Sequence, residues 1–494
     1  MSRSLPTRPN LEQYKKQAKD LLKQWTADDP VALRRIYEHH PRFSDVPDAG
    51  RARRFALADA QLVLAREHGL RNWAEFAREI RRRGGDDQAA VWLAAQRAVI
   101  AGDATSLDTL LRAHARLFNE KHAPPYGPER GRLSPYYEGD DARLIIARNH
   151  HFERWEDFAP WQAARATPGS PVARFEAAAD AIVDGDIDGL RRMLQADPDM
   201  IRARSLRSHH STLLHYVGAN GIEAFRQKTP ANAVEIASLL LDAGAEVDAA
   251  AGMYGGGSTP LGLVATSIHP LLAGVQDALM ALLLERGAVL DQPDAAGNAQ
   301  SPIGGCLANN RPQAAEFLAR RGARLDLDTA AGVGALDVVR RFVADDGTLR
   351  HGATEDQRVR GLAWAAQFGR TNTLEFLLDH GADASLRRDG ATALHWAAYS
   401  ANLSCVRLLL RHAAPVNAKD ESFEGTPLGW ALYGWGTRDL DRERAPYYDV
   451  VTTLVKGGAT VAPSWLDENE RGVPLEAMLR TDARMRAALG EAMR

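Results

Sequence analysis

Cysteine is almost missing from this sequence: among 494 residues only Cys306 and Cys405 occur. Two thiols so far apart exclude a disulfide framework or a thiol-rich metal site and fit a reducing compartment. No run of 18 apolar residues is present, and the N-terminal MSRSLPTRPN has no apolar signal core. Neither a membrane span nor a secretory leader is therefore expected, and the reading is a cytoplasmic protein. An excess of one charge is lacking too, the formal net charge being −3. The spread is uneven, with 18 Lys and Arg against 11 Asp and Glu in residues 1–83. Lys15, Lys16, Lys19 and Lys23 recur there at helical spacing, the pattern of a solvated face, so no nucleic-acid or lipid partner is expected. H-E-x-x-H, cysteine-pair and dinucleotide signatures are absent as well, and neither a metal nor a cofactor is expected.

What the sequence does contain is repetition. Its hydrophobic share of 45% and charged share of 25% are those of a folded chain. The length calls for several domains or one long stack. Asp242-Ala-Gly-Ala-Glu-Val-Asp248 returns as Glu285-Arg-Gly-Ala-Val-Leu-Asp291 and Arg320-Arg-Gly-Ala-Arg-Leu-Asp326. It returns again as Asp379-His-Gly-Ala-Asp-Ala-Ser385, Arg411-His-Ala-Ala-Pro-Val-Asn417 and Lys456-Gly-Gly-Ala-Thr-Val461. Each copy follows an apolar stretch with i, i+3, i+4 spacing, and the glycine in most copies suits the left-handed residue that ends a helix.

A second set opens helices: Thr212-Leu-Leu-His215, Thr259-Pro-Leu-Gly262, Ser301-Pro-Ile-Gly304, Thr392-Ala-Leu-His395 and Thr426-Pro-Leu-Gly429. A hydroxyl cap stands first in each, and in three of them proline follows, where its missing amide costs nothing. Together the two sets resemble the ankyrin repeat over roughly residues 205–463, in the manner of a bacterial-type ankyrin-repeat protein with an N-terminal helical extension. The resemblance implies an all-α solenoid whose concave groove binds a partner, and it implies that His215 and His395 tie neighbouring repeats together. Residues 328–356 are expected to be a degenerate copy, with 335–342 as its second helix.

Residues 1–170 hold a different duplication. Ala65-Arg-Glu-His-Gly-Leu-Arg-Asn-Trp73-Ala-Glu-Phe76 matches Ala147-Arg-Asn-His-His-Phe-Glu-Arg-Trp155-Glu-Asp-Phe158. Turns at Asp29, Asp103 and Asp186 precede related helices. The expected division is a helical unit at 1–86, its duplicate at 87–168, the solenoid at 172–464 and capping helices at 465–494. His68 and His150 are read as packing residues.

Two motifs mimic known sites and fall short. Asp184-Gly-Asp186-Ile-Asp188-Gly189 opens like a calcium loop, but position twelve is Gln195 where a bidentate Glu is needed. Gly255-Gly-Gly-Ser258-Thr-Pro260 lacks the lysine of a phosphate loop, and proline stands where a nucleophile elbow needs glycine.

Function is sought in two departures from a plain scaffold. Insertions at 222–232, 267–276 and 436–448 fall at one place in the repeat and are expected to project from one edge of the stack. Their polar groups include Glu223, Arg226, Gln227, Thr229, His269 and Gln276. The second departure is an aromatic column after the signature histidine: Tyr216, Leu263, Gly305, Trp364, Trp396 and Trp430, with Thr266, Gln367, Tyr399 and Tyr433 three residues on. Exposed tryptophan in a row usually has a partner, and packing between repeats is the competing explanation.

The expected function is a recognition protein binding a protein or extended ligand along an aromatic-lined groove. The ligand-contacting residues would be Tyr216, Asn220, Gln227, Tyr254, Thr266, Gln276, Trp364, Trp396, Tyr399, Trp430 and Tyr433. The alternative is an enzyme or small-molecule receptor whose pocket forms from insertions 222–232 and 267–276. Glu223 would then be the base, Arg226 the anion holder, and His269 or Tyr254 the proton donor. A monomer is expected in either case.

Overall fold

The computed structural model describes residues 11–43, 55–114, 142–293, 299–300, 302–438, 440–461, 479 and 481–490. They divide into two compact units, the first ending at Ile146 and the second beginning at Ala147. Ser301 and most of the expected cap at 465–494 lie outside the described residues; the helix Ala483–Leu489 falls within it.

In the first unit the helices Leu11–Thr26, Pro30–His39 and Leu57–Glu67 close around Leu21, Ile36, Val63 and Leu64, all at most 1% exposed. Asp29 caps the second of these by accepting from the amides of Val31 and Ala32 at 2.9 Å. Proline follows at the first helical position, where no amide is needed. Asp103 caps the helix Ala104–Ala113 in the same way, through Ser106 N at 3.0 Å. The helix Trp73–Ala101 runs unbroken across the 86/87 boundary expected between the first two units.

The duplication seen in the sequence is a duplication of ring packing. His68 and Phe76 lie 5.2 Å apart with planes at 31°, and His150 and Phe158 lie 4.9 Å apart at 41°. Trp73 meets Phe76 at 5.3 Å, as Trp155 meets Phe158 at 5.2 Å. Both histidines serve as flat packing pieces.

The second unit is a stack of antiparallel helix pairs. The pair Pro171–Asp184 and Ile187–Ala196 is followed by Ala233–Asp242, Pro260–Thr266 with Gln276–Glu285, and Pro302–Ala308 with Pro312–Arg320. Next come Leu327–Val333 with Leu336–Phe342, the degenerate copy, then Glu355–Gln367 with Thr371–Asp379. Ala393–Tyr399 with Leu403–Arg411 and Pro427–Gly436 with Asp441–Lys456 complete the row. Where a first helix was expected after Thr212, the chain makes only a 3-10 turn, Leu213–Gly218, ended by Ala219 in a left-handed conformation.

Three recurrent bonds lock one repeat to the next. His215 accepts from the Thr212 amide at Nδ1 (3.1 Å) and donates from Nε2 to the Ser258 carbonyl (3.2 Å) of the following finger loop. His395 does the same with Thr392 (3.2 Å) and Gly425 (3.1 Å). The polar residue that closes three of the recurrent turns accepts from the next turn's amide: Asp248 from Val289, Asp291 from Arg324, and Asn417 from Thr460, at 3.0–3.2 Å. The third bond runs backward to the open carbonyls of the preceding first helix. Asn232 donates to Gly185, Arg311 to Ser267, Arg370 to Gly332, and Asn402 to Ala366 and Gln367. Each repeat therefore contacts its neighbours through fixed polar joints laid over a continuous apolar core.

Candidate functional site

The insertions project less than expected: each sends one long polar side chain inward to backbone carbonyls, while Lys228, Leu272 and Leu440 stay exposed. From the first, Arg226 is 1% exposed and donates to the Glu176 carbonyl at 3.1 Å. Gln276 closes the second, donating from Nε2 to the carbonyls of Val264, Ala265 and Ser267 at 2.9, 3.2 and 3.1 Å. Tyr447 closes the third, its hydroxyl donating to the Tyr399 carbonyl at 2.7 Å. Gly434 makes room for this contact, since a Cβ there would stand 2.7 Å from that carbonyl oxygen. The second and third share a physical reason: a helix end inside a stack leaves carbonyls that water cannot reach, and a long side chain must satisfy them, whereas Arg226 reaches the interior of the helix Pro171–Asp184.

Glu223 and Arg226 come together, but in the core. Glu223 is fully buried, with Arg207 Nε 2.5 Å from its Oε1, His209 Nε2 3.0 Å away and Arg226 Nη1 3.4 Å from its Oε2. Arg226 Nη1 also lies 2.6 Å from Glu176 Oε2, which Arg207 Nη2 approaches at 2.9 Å. Arg207 further donates to the His150 carbonyl at 2.8 Å and stacks 4.3 Å over the Trp161 ring. Burial alone pushes the Glu223 carboxyl up, but Arg207, the His209 hydrogen bond and Arg226 outweigh it and hold it well below the usual range. Glu176 is lowered on the same balance, burial opposing Arg207 and Arg226. Burial likewise disfavours the Arg226 charge, and Glu176 and Glu223 overcome it, raising its pKa. Glu223 is thus a fixed anion among cations, with no exposed surface and no affinity to spare for a proton. It cannot be the general base of a solvent-open pocket.

His269 belongs elsewhere. It starts the short helix His269–Leu272, is half-buried, and is lowered by burial and by Arg311; none of its hydrogen bonds reaches Glu223 or Arg226. Several expected ligand contacts are likewise committed inside the protein. Tyr216 is 1% exposed, edge-on to Phe175 and beneath Arg226, so it is a core ring. Gln227 donates to the Ile222 carbonyl at 2.8 Å. Tyr254, Asn220 and Thr266 are joined in one chain, hydroxyl to Oδ1 at 2.6 Å and Nδ2 to Oγ1 at 2.9 Å. Tyr254 keeps its ring outside, 71% exposed, on a left-handed residue.

The aromatic column splits into a packed part and an open part. Trp364 is 3% exposed and belongs to the core. Arg388, in the hairpin formed by Arg387–Arg388 and Ala391–Thr392, fills the space beyond it, 4.9 Å from the Trp364 ring and 5.0 Å from the Trp396 ring. From there the rings are half-buried and continuous. Trp396 meets Trp430 at 5.1 Å, Trp430 meets Tyr399 at 6.0 Å, and Tyr399 stacks on Tyr433 at 6.3 Å and 21°. Tyr433 is 38% exposed. Trp430 is oriented by donating Nε1 to Asp420 Oδ2 at 3.0 Å. That carboxylate also accepts from the amides of Ser422, Phe423 and Gly425 at 2.7–2.9 Å. Burial raises Asp420, but these donors, Trp430 first, bring it below its ordinary value.

Sequence reasoning missed Glu176, Arg207, His209, Arg388 and Asp420. Only Arg388 had a usable signal, standing four residues before the Thr392 cap and so in the finger loop beside the column.

Comparison with known proteins agrees with the repeat architecture. The family model for ankyrin repeats (three copies) matches residues 327–420 and 362–461, so this stretch of the chain consists of ankyrin repeats. The ankyrin repeat and KH domain-containing protein mask-1 of Caenorhabditis elegans is 26% identical over 268 residues, covering 53% of this chain. The chain spans only 9% of that relative's length. Among solved structures, the human ASB11 ankyrin repeat domain is 18% identical, with a TM-score of 0.30, covering 58% of this chain and 99% of that one. No described helix is long and apolar enough to cross a membrane.

Proposed function

We propose that this chain is a recognition protein that binds an extended segment of a protein partner along the strip of Trp396, Trp430, Tyr399 and Tyr433. The observation that carries this reading is the continuity of four half-open rings on two successive first helices, Ala393–Tyr399 and Pro427–Gly436. Amphipathic rings held at fixed angles offer large contact area at little entropic cost, which is how binding hot spots are built. Ankyrin repeats commonly serve protein binding, which agrees with the match over residues 327–461. An enzymatic reading through Glu223 and Arg226 is not carried forward, because their charged groups are consumed by each other and by Glu176, Arg207 and His209.

The test is selection of peptides from a random display library against the full chain. Selected peptides should bind the parent and lose tenfold or more on Tyr433→Ala, a change at an exposed ring that leaves the fold intact. Peptides that bind Tyr433→Ala and Trp430→Ala as well as the parent would remove the strip as the site.

A further inference from the structure

The strip begins at a cation whose surroundings do not complete it. Arg388 has five N–H donors. Nε meets Asp389 at 2.9 Å, a carboxylate that is itself 68% exposed, and Nη1 reaches Gln367 Oε1 only at 3.4 Å. The guanidinium is otherwise enclosed by two indole faces, its side chain 12% exposed. Burial, its largest influence, lowers its pKa, with Asp389 and, more weakly, Asp328 opposing and Arg360 adding to the fall. Arg360 is itself spoken for, its Nε lying 2.6 Å from Asp328. The two rings that enclose it, Trp364 and Trp396, also have buried Nε1 atoms without a hydrogen-bond partner, as do Trp161 and Trp435 elsewhere in the protein. Trp430, one ring further on, shows the contrast, because Asp420 meets its N–H.

We propose that Arg388 is the specificity-determining end of the strip and receives the carboxylate of an Asp or Glu in an extended partner peptide whose neighbouring apolar side chains lie on Trp396, Trp430 and Tyr433. The proposal rests on the strip being the binding surface and adds the chemistry of what it takes. Donors outnumber acceptors here around a desolvated cation whose one ion-pair partner, Asp389, is itself largely exposed, and a peptide carboxylate supplies several further acceptors at once. Enclosure between indoles strengthens such a pair by excluding water while the rings stabilise the cation. The rings beyond Arg388 advance in steps of 5.1, 6.0 and 6.3 Å. Because these steps alternate between the helices Ala393–Tyr399 and Pro427–Gly436, the four rings form a patch wider than a lone anion, over which an extended chain advancing about 3.3 Å per residue can lie.

The experiment is the same display selection run in parallel on the parent, Arg388→Met, Arg388→Lys and Tyr433→Ala chains. For the parent, peptides should be enriched in Asp or Glu beside aromatic or long aliphatic residues. A synthetic copy of the best peptide should lose tenfold or more when its acid becomes Gln, and the loss should shrink as salt rises. Arg388→Met keeps an apolar filler between the indoles; it should retain the apolar preference and lose the acidic one, whereas Arg388→Lys should keep part of it. Equal affinity for the Glu and Gln peptides, or undiminished acid enrichment on Arg388→Met, would overturn the proposal. If those peptides still require Tyr433, the recognition reading stands and only the acid specificity falls. Peptides indifferent to Tyr433, or no enrichment at all, would sink both. Inorganic phosphate displacing the peptide at equal concentration would make this a small-anion site and overturn the peptide assignment.

Discussion

Trp430 stands edge-on to Trp396, their ring centroids 5.1 Å apart and their planes at 81°. Its N–H is anchored on Asp420, which holds three backbone amides of the same finger loop. Ring and loop therefore move together. Trp430→Ala should weaken binding of a selected peptide by about 2 kcal/mol or more. Trp430→Phe should keep most of the contact area but lower stability by about 1 kcal/mol, because Asp420 loses a donor. Calorimetric titration and thermal melts of the two variants separate these effects, and equal binding losses for both would contradict them.

Removing the charge of Glu223 leaves Arg207 and Arg226 short of an anion in the core. Glu223→Gln should destabilise the second unit by about 3 kcal/mol or more, the usual result of breaking a buried ion pair from one side. Glu176 and Glu223 both have depressed carboxyls, so their contribution is whole above the ordinary carboxylate range and is lost as pH falls below it. Denaturation midpoints should fall between pH 5 and pH 3 for the parent and fall less for the Gln variant.

His215 gives a second, higher window. Burial lowers its pKa from 6.5 to about 4, so the folded state prefers it neutral. Because the unfolded chain binds the proton first, this stability is complete above about 6.5 and is lost as pH falls toward about 4. At pH 5 the loss should be about 2 kcal/mol. His395, lowered for the same leading reason, adds in the same direction. Denaturation midpoints that do not change between pH 7 and pH 5 would rule this out.

The inward side chains of the insertions predict local consequences. Gln276→Ala takes a donor from three carbonyls, of which that of Ser267 keeps Arg311, and should cost about 1–3 kcal/mol. Tyr447→Phe, losing one hydroxyl, should cost nearer 1 kcal/mol. Hydrogen exchange should quicken at the end of Pro260–Thr266 in the first variant and of Ala393–Tyr399 in the second, with distant repeats unchanged.

Much of the repeat framework was legible in the sequence because it rests on local chemistry. Asp29, Asp103 and Asp186 cap helices within three residues of themselves, and Thr212 with His215 and Thr392 with His395 close their own first turns. The helix 335–342 was readable through its spacing even without the capping threonine, and begins one residue later, at Leu336. The insertions were misread because a polar residue in a long loop resembles a solvated one. What decides its direction is a helix end some ten residues back for Gln276, or a carboxylate 50 positions away for Arg226 and Glu176. The aromatic column carried two meanings at one spacing, and Trp364 became core because Arg388, from the next finger, covers its face.

The most direct test of the recognition surface is fluorine resonance of the chain grown with 5-fluorotryptophan, recorded before and after a selected peptide is added. The account predicts that the Trp396 and Trp430 signals shift while those of the buried Trp161 and Trp435 stay in place. A peptide that binds and moves other tryptophans, leaving Trp396 and Trp430 unchanged, would contradict it.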